Sequence, residues 1–180
     1  MIREATESDC INLTALSLEV WLQTYSSDGI RTENSKYVLS LFTEKYFKEI
    51  LQDHKYKLLV FTEGVYLRGY ILVNFESQFE NKKNGFEIEK LYIQGPFQGK
   101  GIGQNLLLEV KARYGSQFWL YTWVRNKSIT FYKKFGFKDI GQYNFKLGND
   151  VIENRVLVYG LQKDEAGWLQ ENGICRPIGQ

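Results

Sequence analysis

The residues of this chain that could do chemistry fall between Phe86 and Phe137. Two carboxylates, Glu87 and Glu89, stand two apart in the strand-like run F-E-I-E-K-L-Y-I and therefore project from the same face. The run breaks at Gly95-Pro96 and gives way to F-Q-G-K-G-I-G, where Gln98 leads into Gly99, Lys100, Gly101, Ile102 and Gly103. Glycines at that density permit positive φ and let a ligand come close to the peptide planes. Beyond Gly103, Leu106, Leu107, Val110 and Tyr114 share one helical face, and Gly115 is a natural stop. A helix start carries unpaired N–H groups and the positive end of the dipole. Strand, glycine loop and helix together predict an anion site suited to a phosphate group.

Two common phosphate loops do not fit. A Walker A loop would need glycine where Gln94 stands and a hydroxyl where Gly101 stands. The dinucleotide pattern G-x-G-x-x-G would need glycine at Gln104. The pattern that fits is Q-x-x-G-x-G, formed by Gln98, Gly101 and Gly103 after E-I-E-K-L-Y-I and a proline-marked break. In this the chain resembles the GNAT superfamily of acyl-CoA-dependent N-acyltransferases, whose pyrophosphate loop has this form. A second segment, W-L-Y-T-W-V-R-N-K-S-I-T-F-Y-K-K-F-G-F from Trp119 to Phe137, is similar to the strand and helix that follow in that family. Asn126, Tyr132, Gly136 and Phe137 occupy the family's asparagine, tyrosine, glycine and aromatic positions. The resemblance covers roughly residues 85 to 161 well and the N-terminal half in outline.

The resemblance implies a cofactor site and a mechanism. Acetyl-CoA would be the acyl donor, with no metal. The backbone of Leu91, Tyr92 and Ile93 would hold the pantetheine arm as an added strand, provided that the next strand splays away, and Gly95-Pro96 is where that splay would begin. The amides of Gln98, Gly99, Lys100, Ile102, Gly101 and Gly103, extending to Gln104, would hold the pyrophosphate. Asn126 and Ser128 would contact the cofactor, although Asn126 reads equally as the N-cap of its helix, bonding the N–H of Ser128 or Ile129. Tyr132 would be the general acid that protonates the departing thiolate, its alternative being a core residue among Phe131 and Phe135. Freeing the lone pair of an alkylammonium at pH 7 costs on the order of 4–5 kcal/mol from a pKa of about 10.4. Glu87 or Glu89, directly or through a water, is the candidate base; the other reading is that both balance Lys90. One histidine and two distant cysteines do not make an acyl-enzyme triad, so the amine would attack the thioester directly in a ternary complex.

Within the superfamily the look is closest to bacterial small-amine and polyamine (spermidine/spermine-type) acetyltransferases. Glu19, Asp28, Glu33, Glu76, Glu80, Glu87 and Glu89 could meet a polycation. A protein or peptide amine and an aminoglycoside are the alternative acceptors, and a non-catalytic CoA-binding sensor or interaction module is the alternative of another class.

Composition sets the remaining bounds. The 180 residues suit one domain over 1–162 with an irregular C-terminal tail over 163–180, and 16% aromatics predict an aromatic-rich core. A net charge of +2 does not point to nucleic acid or an anionic membrane. The absence of a long apolar run or a signal-peptide pattern implies a soluble, cytoplasmic protein. Cys10 and Cys175 are too few for a disulfide framework or zinc site, and His54 reads as an exposed residue at a helix end. The tail could be ordered by a homodimer contact.

Read in order, the chain predicts a short edge strand over 1–5 and a helix over 10–25 with Ile11, Ala15, Leu18 and Leu22 inward. A helical region follows over 33–54, broken near Thr43, then a hairpin of strands 56–62 and 65–75 about Glu63-Gly64. The loop over 77–84 and the key strand come next, followed by a helix over 103–114, a strand over 117–124 and a helix over 126–135. Strands over 137–147 and 152–161 complete the order. That order implies an α/β (α+β) fold. The resemblance adds a mixed, mostly antiparallel sheet of six to seven strands, splayed at its centre, with helices on both faces.

Overall fold

The computed structural model describes residues 1–147 and 150–160; Cys175 and the tail expected over 163–180 lie outside them. The chain divides into two compact units, one of Met1–Glu76 with Ile88–Tyr114 and the other of Ser77–Glu87 with the residues from Gly115 on.

The first unit begins with β1 (Ile2–Glu4), a turn of 3-10 helix over Glu7–Asp9, and α1 (Cys10–Tyr25). Helices α2 (Thr32–Leu41) and α3 (Glu44–Gln52) follow, and Thr43 separates them as expected, its hydroxyl accepting the Tyr46 N–H at 3.0 Å. Strands β2 (Tyr56–Glu63) and β3 (Tyr66–Asn74) form the expected hairpin. The strand β4 (Phe86–Ile93) crosses the division, its first two residues belonging to the second unit. A turn of 3-10 helix over Gly95–Phe97 leads to α4 (Ile102–Tyr114). Pairing β1-β2 and β2-β3 is antiparallel, and β4 lies next to β3. The core here is Leu13, Phe47, Leu59, Val60, Tyr70, Ile71, Leu72, Leu106, Leu107 and Val110, all fully buried.

One expectation about α1 is corrected. The helix buries Cys10, Leu13, Leu16, Ser17, Val20 and Trp21, whereas Ile11 is 57% exposed. The helix is apolar on two adjacent stripes, so spacing alone fits either. Packing chooses the stripe that lets Ser17 bond the fully buried Tyr70 hydroxyl at 2.7 Å.

The second unit holds β5 (Phe118–Trp123), α5 (Ser128–Phe135), β6 (Lys138–Gln142), β7 (Phe145–Leu147), β8 (Asp150–Ile152) and β9 (Asn154–Tyr159). Strand β9 pairs antiparallel with both β5 and β6, and the start of β4 pairs parallel with β5 at Phe86↔Phe118 and Glu87↔Trp119. The hydrogen-bonded order is β1-β2-β3-β4-β5-β9-β6, a mixed, mostly antiparallel seven-stranded sheet, with β7-β8 a separate pair. The two long strands expected at the end are therefore four short ones. Strand β6 leaves the sheet after Gln142, where a register shift between Asp139 and Gly141 has already bent it, and β7 and β8 pair only with each other. The core of this unit is aromatic, with Phe118 stacked on Tyr159 at 5.0 Å and flanked by Phe86 and Phe137.

Candidate active site

The sequence candidates divide between the two units. In the first unit, β4 ends at Ile93 and the chain turns sharply. The Phe97 and Gln98 N–H groups donate to the carbonyls of Gln94 and Gly95. The Gln98 side chain reaches back so that its Nε2 donates to the Ile93 carbonyl at 3.0 Å. Gln98 thus spends its amide and its side chain on the chain itself, and the donors open to an anion begin at Gly99 rather than at Gln98. The parallel pairing to β5 covers only Phe86 and Glu87, so Gly95-Pro96 is not where that pairing ends; it opens the 3-10 turn instead.

Gly99 and Gly101 take φ of 75° and 81°, the left-handed conformation that the loop needs and that L side chains resist. A Cβ at either would meet nothing within 4 Å, so there is room above the loop for a ligand. Ile102, Gly103 and Gln104 are the first residues of α4, where N–H groups have no carbonyl a turn earlier within the helix. The first turn closes with the Asn105 N–H on the Gly101 carbonyl at 2.9 Å. Ile102 is buried and anchors this turn, while Lys100 is exposed with its ammonium 4.9 Å from the Phe97 ring. Open amides at the N-terminus of a thirteen-residue helix, with a lysine beside them, fit a diphosphate.

Leu91, Tyr92 and Ile93 are half-buried. Before them, Glu89 keeps one carboxylate oxygen, Oε2, fully buried with no hydrogen-bond partner. Lys90 points its ammonium to the Tyr46 hydroxyl at 3.1 Å and lies 3.9 Å from Glu89 Oε1, with its side chain 10% exposed. Burial pushes the Lys90 ammonium down, but the Glu89 carboxylate and the oxygens of Tyr46, Tyr70 and Tyr92 more than offset it and hold it well above the ordinary lysine value. Burial also raises the phenols of Tyr46 and Tyr92, and that of Tyr25 to about 12, so they keep their protons at neutral pH. From sequence, Lys90 reads only as a charge that Glu87 and Glu89 balance, and Tyr46 carries no signal of its own. The signal that could have drawn attention to them is a lysine alternating with Ile88 and Tyr92 on one strand face, in a chain with twelve tyrosines.

In the second unit, Glu87 is 5% exposed on β4 beside Trp119 in the parallel register. Asn126 begins the turn into α5: its Oδ1 accepts the Ser128 N–H at 2.9 Å and its Nδ2 donates to the Thr122 hydroxyl at 2.9 Å. The capping reading of Asn126 is therefore what the geometry displays. The Ser128 hydroxyl is buried with no partner. Tyr132 is 7% exposed, packed on Phe131 at 5.2 Å and Phe137 at 5.4 Å rather than on Phe135, and its carbonyl receives the Gly136 and Phe137 N–H groups that end α5. His54 is exposed just past α3, as expected. Among the described residues, no three His, Cys, Asp or Glu side chains gather as a metal site, and no helix is long and apolar enough to cross a membrane.

Comparison with known proteins follows the same lines. Residues 21–153 match the model of the acetyltransferase (GNAT) domain family. An uncharacterised N-acetyltransferase from the pepI 3' region of Lactobacillus delbrueckii subsp. lactis is 27% identical over 157 residues, 83% of this chain and 90% of that protein. The PaiA N-acetyltransferase of Thermoplasma acidophilum, solved in complex with coenzyme A, superposes with a TM-score of 0.67 at 22% identity, over 86% of this chain and 96% of that one. The yncA protein of Salmonella typhimurium, solved with its cofactor acetyl-CoA, gives 0.60 at 20% identity, over 93% of this chain and 96% of that one. The two structural likenesses carry the fold.

Proposed function

Because the chain belongs to the GNAT acetyltransferase family, we propose that it moves an acetyl group from acetyl-CoA to the primary amine of a small molecule. The observation that carries this reading is the loop from Gly99 to Gln104, with its open amides, two glycines at positive φ and clear space above them. Each helix-terminus contact contributes only about 0.3–1 kcal/mol, so the loop must act as a set. Ser128, expected to contact the cofactor, keeps its hydroxyl buried with no partner.

Acetyl-CoA supplies a thioester whose carbonyl carbon takes the amine nitrogen, the N–C bond forming as the C–S bond breaks. The chain's part is alignment and proton transfer. Leu91 to Ile93 hold the reacting arm along β4, although the Ile93 carbonyl is already taken by Gln98. Glu89, whose buried Oε2 has no hydrogen-bond partner, takes the proton from the ammonium, with Glu87 the second candidate. Tyr132 returns a proton to sulfur. Alignment contributes about 7–11 kcal/mol, more than the roughly 4–5 kcal/mol needed to deprotonate the amine, so the base is helpful rather than decisive.

The expectation of a polyamine comes from the family resemblance, and several carboxylates could meet its charge. Of these, Glu19 accepts from Gln23 and Gln94 at 3.2 and 3.3 Å, and Glu89 has a lysine beside it. Polyamine, peptide amine and aminoglycoside are therefore arms of one assay, thiol release from acetyl-CoA with each amine. Tyr132→Phe should lower kcat by about 10²–10⁴-fold with acetyl-CoA affinity little changed; an unchanged rate removes its role as the acid. Clear CoA binding with no turnover on any amine would make the chain a sensor instead.

A further inference from the structure

The Glu89–Lys90 pair on β4 is incomplete in a way that specifies what would complete it. An ammonium has three donors, and Lys90 uses one of them on the Tyr46 hydroxyl at 3.1 Å. The nearest carboxylate oxygen, Glu89 Oε1, is 3.9 Å away, beyond hydrogen-bond reach. Glu89 Oε2 is buried and receives nothing. The groups around them are phenols and rings. Tyr92 packs edge-on against Tyr70 at 5.5 Å and Phe42 at 6.2 Å, and Tyr46 packs on Phe47 at 5.0 Å. A carboxylate short of a donor and an ammonium short of acceptors, side by side in an aromatic setting, are costly unless a ligand supplies both.

We propose that this pair receives the head group of an α-amino acid, the ammonium on Glu89 and the carboxylate on Lys90, and that free amino acids are the acceptor class. This rests on the acetyl-transfer reading above and narrows its substrate. Amine and carboxylate borne on one carbon match two charged groups on adjacent residues. The complex remains neutral, because the zwitterion brings one charge of each sign to a pair that has one of each. A polyamine would place a second cation against the buried Lys90 ammonium, and a peptide N-terminus would bring the amine without the carboxylate. In the transfer, the ammonium gives one proton to Glu89, the nitrogen forms its bond to the acetyl carbon as the C–S bond breaks, and the second proton that the nitrogen sheds balances the one the departing thiolate takes up; Lys90 holds the carboxylate and keeps its own proton.

The test uses the full chain. Initial rates of thiol release are measured with the standard amino acids, with the carboxamides of those turned over, and with putrescine and spermidine; acetyl-CoA affinity is measured by calorimetry. The expected result is turnover of at least one free amino acid, with its carboxamide and both polyamines lower in kcat/KM by roughly a hundredfold. Lys90→Met should raise KM for the amino acid by a similar factor, erase the difference between acid and carboxamide, and leave the heat of acetyl-CoA binding as it was. Carboxamides or polyamines used as well as free acids would overturn the inference, as would a Lys90→Met enzyme that still prefers the acid. The comparison of acid with carboxamide needs no variant, so it decides even if Lys90→Met does not fold. Failure of the acetyl-transfer reading would look different: no amine of any class would release thiol, whether or not acetyl-CoA gave heat.

Discussion

The side-chain amide of Gln98 donates to the carbonyl of Ile93 at 3.0 Å, tying the first residue of the glycine loop to the last residue of β4. The bond is exposed, so its worth to the fold is small, but it fixes where the loop's amides point. Gln98→Ala should weaken acetyl-CoA binding by roughly two- to tenfold, the equivalent of losing one hydrogen bond of about 0.5–1.5 kcal/mol, with little change in Tm. Calorimetric titration measures it, and an unaltered Kd would mean that the loop holds its shape without the tie.

Gly69 on β3 faces β4 with no room for a side chain. A Cβ there would lie 2.5 Å from Ile93 Cδ1 and 2.9 Å from the Tyr92 carbonyl oxygen. The isoleucine can turn aside, but the carbonyl belongs to the backbone. Gly69→Ala should therefore destabilise by about 1–3 kcal/mol, and the displacement of β4 should lower acetyl-CoA affinity as well. Urea unfolding with unchanged stability would show that the two strands separate at no cost.

Asp9 gives a pH dependence whose sign is fixed. Arg3 grips its carboxylate with two nitrogens at 2.7 and 2.8 Å. That bond holds the group below the usual carboxylate value against the opposing effect of burial, and the Thr6 N–H at 2.8 Å adds to it. A carboxyl with a lower pKa folded than unfolded stabilises the fold fully above its unfolded value, about 3.9, and loses that contribution as pH falls toward the folded one. Asp9→Asn should cost about 1.5–3 kcal/mol near pH 7, with the gap to wild type closing below about pH 4. A gap that stayed constant as the pH fell from 7 to well below 3 would count against the ion pair.

How much of this could be read from the sequence depends on the range of the interaction that decides each feature. The bounds of α1, the Thr43 cap and the hairpin about Gly64 are set by residues within a few positions, and all were legible. So was the turn from strand to helix through Gly99, Gly101 and Ile102, though α4 starts one residue earlier than the spacing indicates. The inward face of α1 was not, because Leu13, Leu16 and Val20 compete with Ile11, Ala15 and Leu18 at the same periodicity, and the sheet decides between them. Nor was the Lys90–Tyr46 contact, which joins residues 44 apart. The separate β7-β8 pair was missed for a third reason: Phe145–Leu147 reads as the end of the strand over 137–147, and a strand pattern does not say which partner the strand will take.

Asn126 and Ser128 lie two residues apart yet should respond to truncation in opposite directions. Asn126 holds the start of α5 through the Ser128 N–H and the Thr122 hydroxyl, so Asn126→Ala should cost about 0.5–2 kcal/mol of stability. The Ser128 hydroxyl is buried with no partner, and removing a group that has already lost its water should leave stability level or raise it slightly. Ser128→Ala should therefore keep or gain Tm, and it should weaken acetyl-CoA binding if the hydroxyl contacts the cofactor as the family resemblance implies. Thermal unfolding and calorimetry on both variants separate the two effects. If Ser128→Ala loses Tm and keeps its affinity, the hydroxyl serves the fold and not the cofactor.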